Sequence, residues 1–194
     1  MNTWFTTHSG RRVHPFDLKR EDVDMRDIAH SLSLICRFQG HCPFHYSVAQ
    51  HSYLVAALLQ RDGHPVEIQL WGLLHDAAEA YIGDVISPIK HQMHALRDDG
   101  SSRSFSDIER KVLDVILPEF LPREEPEVVK SADLQLLMDE ARWFFGAKAA
   151  SNYGVADRFP NQRTIVEQWS PRLVSSRYLW LFNHLMYVAT SNEP

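Results

Sequence analysis

Apolar residues recur at three- and four-residue spacing over most of the chain, as they do along one face of an amphipathic helix. This spacing predicts helices at about 24–35, 47–61, 66–81, 106–116, 126–149, 162–169 and 171–189. No segment shows convincing strand alternation, so the sequence predicts an all-α fold. We interpret the chain as a single domain over 1–194, with a core over about 24–149 and C-terminal helices over about 162–190.

Interruptions of this pattern predict where the helices begin and end. The first 23 residues carry proline and charge without a period and predict an irregular arm. Ser47 is placed to cap the second helix, and Gly83 ends the third. Polar residues at 97–104 predict a short mobile linker, and 151–162 predicts a loop.

Composition and charge exclude several classes of protein. With 44% hydrophobic and 23% charged residues the chain is an ordinary globular sequence, and a net charge of -5 gives no basic field for a nucleic-acid polymer. No apolar run approaches the roughly 18 residues of a membrane span, and the amino terminus has no signal-peptide core, so we expect a cytoplasmic protein. Cys36 and Cys42 are too few and wrongly spaced for a disulfide scaffold, a zinc knuckle or a redox pair, and are expected to be small, reduced core residues.

Four polar side chains fall within the apolar stripes of three predicted helices: His51, His75, Asp76 and Asp133. A buried carboxylate is costly unless a cation or several donors pair with it. Neighbours such as His75 and Asp76 are about 100° apart around a helix, so both can reach one ion beside it. Two imidazoles and two carboxylates are suitable ligands for a divalent metal, and we therefore predict a metal site.

Two glutamates lie one or two turns from these residues. Glu79 is four residues past His75, one turn along the same side, and lies near the metal without needing to ligate it. Glu140 follows Asp133 by seven residues on the same side of its helix, and could support the ligands from outside.

The segments "AQHS", "LLHDAAEAYIGD" and "KSADLQ" contain a histidine, then a His-Asp pair, then a distant aspartate. This pattern resembles the signature of the HD-domain metal-dependent phosphohydrolases. Within that superfamily, "HDAAEAYIGDVISPIK" and "ICRFQGH" are most similar to bacterial 5'-deoxynucleotidases and to phage enzymes that remove triphosphate from dATP. The resemblance covers roughly 24–143 and implies an HD-domain helical bundle.

The resemblance also implies roles for individual residues. His51, His75, Asp76 and Asp133 would hold one divalent metal ion, which could be Co, Mn, Zn, Fe, Ni or Mg. Glu79 and Asp84 would be catalytic acid/base residues. Arg37, Phe38 and Lys90 would bind substrate: Arg37 and Lys90 the phosphate, and Phe38 the sugar or base, at a position where the bacterial nucleotidases have tryptophan. The substrate would be a small deoxynucleotide, and the protein a homo-oligomer, dimeric or larger.

Several alternatives stay open at this point. A monophosphatase and a triphosphohydrolase would share the same metal site, and so would a hydrolase of cyclic or signalling nucleotides. A non-catalytic nucleotide-binding regulator with a structural metal is a fourth possibility. Individual side chains also have plainer interpretations: a solvated face for Glu79, a turn residue for Asp84, a surface ion pair for Arg37 and a solvated amine for Lys90.

Overall fold

The computed structural model describes residues 3–96 and 100–191, and it is mostly helical, with 59% helix and 6% strand. The predicted all-α class is therefore confirmed in outline. The helices are α1 (Met25–Leu34), α2 (Val48–Arg61), α3 (Val66–Leu74), α4 (Glu79–Ile82), α5 (Ser87–Lys90), α6 (Phe105–Ile116), α7 (Glu127–Ala150) and α8 (Pro171–Ser191). None of the helices in the described ranges is long and apolar enough to cross a membrane. The predicted domain, 1–194, includes ends that lie outside these ranges.

The core is built around α2 and α3, which pack against each other and against α1, α7 and α8. Trp71, Leu59 and Tyr178 are among its largest fully buried side chains. Each buried side chain of this size contributes about 1.5–3 kcal/mol through the hydrophobic effect. Gly72 permits the close approach of α3 to α2, because a Cβ atom there would lie 2.4 Å from Cδ1 of Leu59. This contact fixes the helix that leads into the predicted metal ligands.

The predicted third helix, 66–81, is interrupted in the structure. α3 ends at Leu74, a tight turn follows, and α4 begins at Glu79. Within the turn, the N–H of Ala77 donates to the carbonyl of Leu74 at 2.8 Å and that of Glu79 to Asp76 at 3.1 Å, which is the three-residue spacing of a 3-10 turn. The apolar period continues through this turn, so the pattern predicted one helix where the backbone forms two.

The segment 162–169 was predicted to be helical, and this prediction is wrong. Its backbone is bound by side chains from elsewhere: the Asp139 carboxylate accepts from the N–H groups of Arg163 and Thr164 at 2.9 and 2.8 Å. Gln50 donates to the carbonyl of Glu167 at 2.7 Å. These bonds replace those that a helix would make. The segment thereby crosses the surface as an extended strap before α8.

Short strands occur where none were predicted. In the arm, β1 (Phe5–Thr6) pairs antiparallel with β2 (Arg12–Val13). Further on, β3 (His94–Leu96) pairs antiparallel with β4 (Ser102–Ser104). The prediction of a mobile linker is therefore wrong over 102–104, while 97–99 lie outside the described residues. Strands of two or three residues are too short to show an alternating pattern.

The two cysteines also differ from expectation. Both are half-buried rather than fully buried, and their Sγ atoms lie 3.5 Å apart. Both are free cysteines, but their spacing in the sequence did not predict that they would lie side by side. However, the backbone of Phe38 and Gln39 has positive φ angles of 55° and 53°, which folds the intervening loop back on itself.

Candidate metal centre

The four predicted ligands converge where α2, α7 and the turn after α3 meet. His51 lies on α2, Asp133 on α7, and His75 and Asp76 in the turn. The Nε2 atom of His75 is 3.1 Å from Oδ2 of Asp76, and Nε2 of His51 is 4.0 Å from the same oxygen. His51, His75 and Asp76 each offer one ligand atom within 4.8 Å of the others, an arrangement that can hold a metal ion.

Asp133 approaches His51 from a third direction, although it is not one of the three residues whose ligand atoms all lie within 4.8 Å of one another. Its Oδ1 atom is 3.0 Å from Nε2 of His51. Burial opposes ionisation of this carboxyl, but the adjacent His51 ring holds the pKa of Asp133 below its usual value. Asp133 is therefore an anionic oxygen donor beside the other three.

The two imidazoles present unsatisfied nitrogen atoms to the centre. The buried Nε2 atoms of His51 and of His75 lie 3.0 and 3.1 Å from carboxylate oxygens of Asp133 and Asp76, but among the described residues neither atom makes a contact with the geometry of a hydrogen bond. A buried polar atom left without a partner costs about 1–3 kcal/mol. A cation bound between the rings would satisfy both atoms at once, so the donor set fits a divalent metal.

The other ring nitrogen, Nδ1, forms a hydrogen bond on the side of each imidazole that faces away from the centre. Nδ1 of His51 donates to Oε1 of Glu140 at 2.6 Å, and Nδ1 of His75 donates to the carbonyl of Gly72 at 2.8 Å. A carbonyl can only accept, and so can Glu140, because Arg37 and His51 outweigh burial and lower the pKa of Glu140. Nδ1 therefore carries a proton on both rings, so Nε2 is the atom of each ring that a metal would bind, in exchange for any proton it holds in the metal-free protein.

Electrostatics at the centre favour a positive charge. Burial lowers the pKa of His75, but the Asp76 carboxylate beside the ring outweighs it and raises that pKa to about 9. Burial likewise opposes ionisation of Asp76, yet His75, His51 and Arg37 hold the pKa of Asp76 well below its usual range. The carboxylate is thus ionised at neutral pH and attracts a cation.

Arg37 faces this centre and is not a surface ion pair. Its side chain is 13% exposed and its guanidinium lies 3.3 Å from Oε2 of Glu140 and 3.6 Å from Oδ2 of Asp76. The same Glu140 carboxylate accepts from the hydroxyl of Tyr46 at 2.7 Å. Glu140 therefore joins Arg37 to the histidine side of the centre.

Glu79 and Asp84 lie beside the centre without belonging to its ligand group. Glu79 is 4% exposed, and its Oε2 atom has no hydrogen-bond partner within the described ranges. Burial, and then the charges of Asp76 and Asp84, raise the pKa of Glu79 well above its usual value. Burial also raises the pKa of Asp84. Gly83 ends α4 between them, as predicted, and the carbonyl of Asp84 accepts from Nε2 of Gln39 at 3.1 Å.

A cavity of about 680 Å³ opens above these groups. Seven of the nine predicted site residues line it: Arg37, Phe38, Asp76, Glu79, Asp84, Lys90 and Asp133. The other two, His51 and His75, have almost fully buried side chains. The structure thus brings the predicted residues together in one place, with the candidate ligands below and the candidate substrate contacts around the walls.

Two relatives were found among curated proteins, and no family model matches the chain. YfdR of Escherichia coli strain K12 is 36% identical over 141 residues, which cover 72% of this chain and 71% of that protein. RCAP_rcc00048 of Rhodobacter capsulatus is 30% identical over 166 residues, which cover 79% of this chain and 81% of that protein. The chain belongs to the family of these two proteins. Both are described as uncharacterized, so membership of the YfdR family assigns no reaction, and the chemistry must be argued from the site.

Three residues near the site of this YfdR-family protein were missed by sequence reasoning. Phe145 and Tyr153 line the cavity, and Phe38 packs edge-to-face against Phe145 with ring centroids 5.3 Å apart. Gly146, with φ 80°, breaks α7 directly after Phe145, and a glycine within a predicted helix was the available signal. The third residue is Glu109, whose two carboxylate oxygens accept from Nζ of Lys90 at 2.7 and 2.9 Å. Lys90 is therefore not simply solvated.

Proposed function

We propose that this protein is an HD-domain phosphohydrolase that uses one divalent metal ion to remove phosphate from deoxynucleotides. One observation carries the proposal: the unpartnered Nε2 atoms of His51 and His75 meet the Asp76 carboxylate beneath a cavity. The mostly helical fold supports the assignment to the HD-domain class, because the resemblance implies a helical bundle.

The metal would be held by His51, His75, Asp76 and Asp133. When bound, such an ion lowers the pKa of a water molecule toward about 7 and offsets negative charge on phosphoryl oxygens. Mixed imidazole and carboxylate ligands suit several divalent ions, and availability decides among Co, Mn, Zn, Fe, Ni and Mg. The protein's own part is to hold these ligands in fixed tautomers and charge states.

Glu79 is the best-placed group to move a proton. It lies on the cavity wall, is almost completely buried, and leaves one oxygen without a partner in the described structure. A buried carboxyl whose pKa is raised holds a proton more readily than a free one, and such a group can accept a proton from water and return one to a leaving oxygen. Asp84, on the same wall, is a second proton carrier or a partner for a sugar hydroxyl.

The charges of the cavity favour a nucleoside monophosphate over a triphosphate. Arg37 and Lys90 are the arginine and lysine side chains among its described lining residues, and both already face carboxylates. One phosphate dianion can be neutralised by a divalent ion with help from Arg37. A triphosphate adds further negative charges, and the described lining of the cavity offers no third lysine or arginine to neutralise them. Phe38, Phe145 and Tyr153 would contact the sugar and base.

The decisive experiment is a product-resolved assay of dAMP, dATP, the other deoxynucleotides and a cyclic nucleotide with each candidate metal. Release of orthophosphate from monophosphates is expected. Release of triphosphate from dATP would instead assign a triphosphohydrolase. If the metal-loaded protein binds a nucleotide and hydrolyses none, the enzyme assignment is wrong and the protein is a nucleotide-binding regulator.

Glu79→Gln tests the proton-transfer role within that assay. The variant should retain its metal, measured by elemental analysis, and lose about 10²–10⁴-fold in turnover, the usual contribution of a general acid or base. Glu119→Gln is the control, because Glu119 is exposed and does not line the cavity. Loss of metal in Glu79→Gln would show that Glu79 is a ligand.

The expected homo-oligomer stays a prediction, which sedimentation can check.

A further inference from the structure

Lys90 and Glu109 form a half-buried ion pair at the edge of the cavity. Lys90 ends the short helix α5, and Glu109 lies in α6. The Lys90 ammonium donates to both oxygens of Glu109, at 2.7 and 2.9 Å. The two side chains are only 20% and 23% exposed, so this pair is more shielded from water than an ordinary surface salt bridge.

The two partners occupy different places. Lys90 lines the cavity, whereas Glu109 does not and so stands behind the lysine. An ammonium group has three hydrogens, and Glu109 accepts two hydrogen bonds from it. With respect to the residues that the structure describes, one N–H therefore remains to bind a group inside the cavity.

Carboxylates that line the cavity also attract the Lys90 ammonium. Glu79 and Asp76 both act on this ammonium electrostatically. A lysine side chain is long and flexible, and without an anchor it could turn toward Glu79 or out to solvent. Glu109 can hold the Lys90 ammonium in place because it lies on α6, a helix of three turns. The adjacent residue, Ile108, is buried and fixes this part of α6 against the core.

We propose that Glu109 is a positioning residue for substrate phosphate: it binds two hydrogens of the Lys90 ammonium and so directs the third to the phosphate. The inference rests on the proposed function, since it assumes that an anionic phosphate enters this cavity. Glu109 itself touches no substrate and acts through Lys90.

The sign of the effect separates positioning from simple charge. Glu109→Gln removes a negative charge near the cavity, and charge alone would make phosphate bind more tightly. Positioning predicts the opposite: affinity for inorganic phosphate should fall roughly tenfold, the scale of one charge-assisted hydrogen bond. The measurement is calorimetric titration of metal-loaded protein with inorganic phosphate, which requires no turnover. Unchanged or tighter binding would overturn the proposal.

A double-mutant cycle tests whether Glu109 acts through Lys90. In a Lys90→Met background, Glu109→Gln should cause no further loss of phosphate affinity. A second loss of the same size would show that Glu109 acts elsewhere and would contradict the proposal. Glu119→Gln, which removes the same charge from an exposed position outside the cavity, should bind phosphate like the wild type. Thermal melting of each variant checks that α6 remains folded.

Kinetics distinguish failure of this inference from failure of the proposed function. If the wild type hydrolyses a deoxynucleotide, Glu109→Gln should raise KM about tenfold and lower kcat much less, because the lost contact is made in the bound ground state as well. A fall in kcat at constant KM would overturn the positioning role while leaving the phosphohydrolase intact. If the wild type hydrolyses nothing, the proposed function fails, and the phosphate titration still decides the role of Glu109.

Discussion

The two sides of the cavity are held in different ways. On the helix-borne side, which comprises His51, His75, Asp76, Asp133 and Glu140, the side chains project from α2, α7 and the turn after α3, and they are fixed by one another. On the loop-borne side, which comprises Phe38, Gln39, Phe145 and Tyr153, the residues lie at breaks in regular structure, and two of them have positive φ angles.

Under the proposed function, this difference separates two tasks. A metal ligand must be placed within a few tenths of an ångström, and each imidazole on the helix-borne side has its tautomer fixed by an acceptor behind it. Aromatic residues that contact a base or sugar need to offer a surface rather than a point. Phe38 and Phe145 support each other by edge-to-face packing, which tolerates small shifts. The predictions below test whether the two sides respond differently to substitution.

The largest effect is expected from Glu140→Gln, on the helix-borne side. The change removes the charge that faces Arg37 and weakens the acceptor that fixes His51. Affinity for the metal should fall about 10–100-fold, the usual effect of losing the outer partner of a metal-binding histidine. Competition with a chromogenic chelator measures this directly. Tyr46→Phe is the matched control, since it removes another hydrogen bond to the same carboxylate without changing its charge. Equal loss in both variants would assign Glu140 a purely structural role.

A smaller effect is expected from Glu79→Gln on the stability of metal-free protein. The pKa of Glu79 in the folded state lies above its unfolded value, so ionising it opposes folding. The stability that Glu79 contributes is fully present below its unfolded pKa and is lost as the pH rises through the folded pKa. Glutamine cannot ionise and loses nothing. The variant should therefore gain stability relative to the wild type as the pH rises.

The expected gain at neutral pH is about 1 kcal/mol or more, because glutamine avoids the cost of either burying the Glu79 charge or protonating the carboxyl on folding, and it corresponds to roughly 2–4 °C in Tm. Thermal melts of both proteins from pH 4 to pH 8 measure the difference. It should be near zero at the acidic end and grow steadily. Glu119→Gln, at an exposed position, should show no such trend. A constant difference across the range would mean that Glu79 is not buried as a carboxyl group.

The contrast between the helix-borne and the loop-borne side also explains how much of the site could be predicted from the sequence. His51, His75, Asp76 and Asp133 were identified because helical period places them within apolar stripes, and the structure brings them together. The strap at 162–169 was not predicted, because its conformation depends on hydrogen bonds to the carboxylate of Asp139, which lies more than twenty residues earlier in the sequence. A local period contains no information about such partners.

Residues of the cavity walls show the same limit. Tyr153 reaches the cavity only because Gly146 redirects the chain after Phe145. The anchoring of Lys90 depends on how α5 and α6 are arranged, so Glu109 carried no signal in its own segment. Residues whose place follows from a local helical period were predictable, and residues whose role depends on contacts between distant segments were not.

The smallest effect concerns the backbone of the loop-borne side. Gln39 has φ 53° and ψ 30°, the left-handed region that costs a residue with a Cβ atom about 1–2 kcal/mol. Gln39→Gly and Gln39→Ala both remove the hydrogen bond to Asp84, so their difference isolates the backbone. Glycine should be the more stable replacement by about 1 kcal/mol, which reverses its usual order relative to alanine.

Urea unfolding of the two variants measures this difference, and the matched pair Asn183→Gly and Asn183→Ala calibrates it. Asn183 is exposed within α8, where alanine should be more stable by about 1 kcal/mol. If alanine is also the better replacement at position 39, the loop does not hold the left-handed conformation in solution. Phe38, the neighbouring residue with a positive φ angle, would then not be fixed over the cavity. The loop-borne side would be shaped by the bound nucleotide rather than by the protein alone.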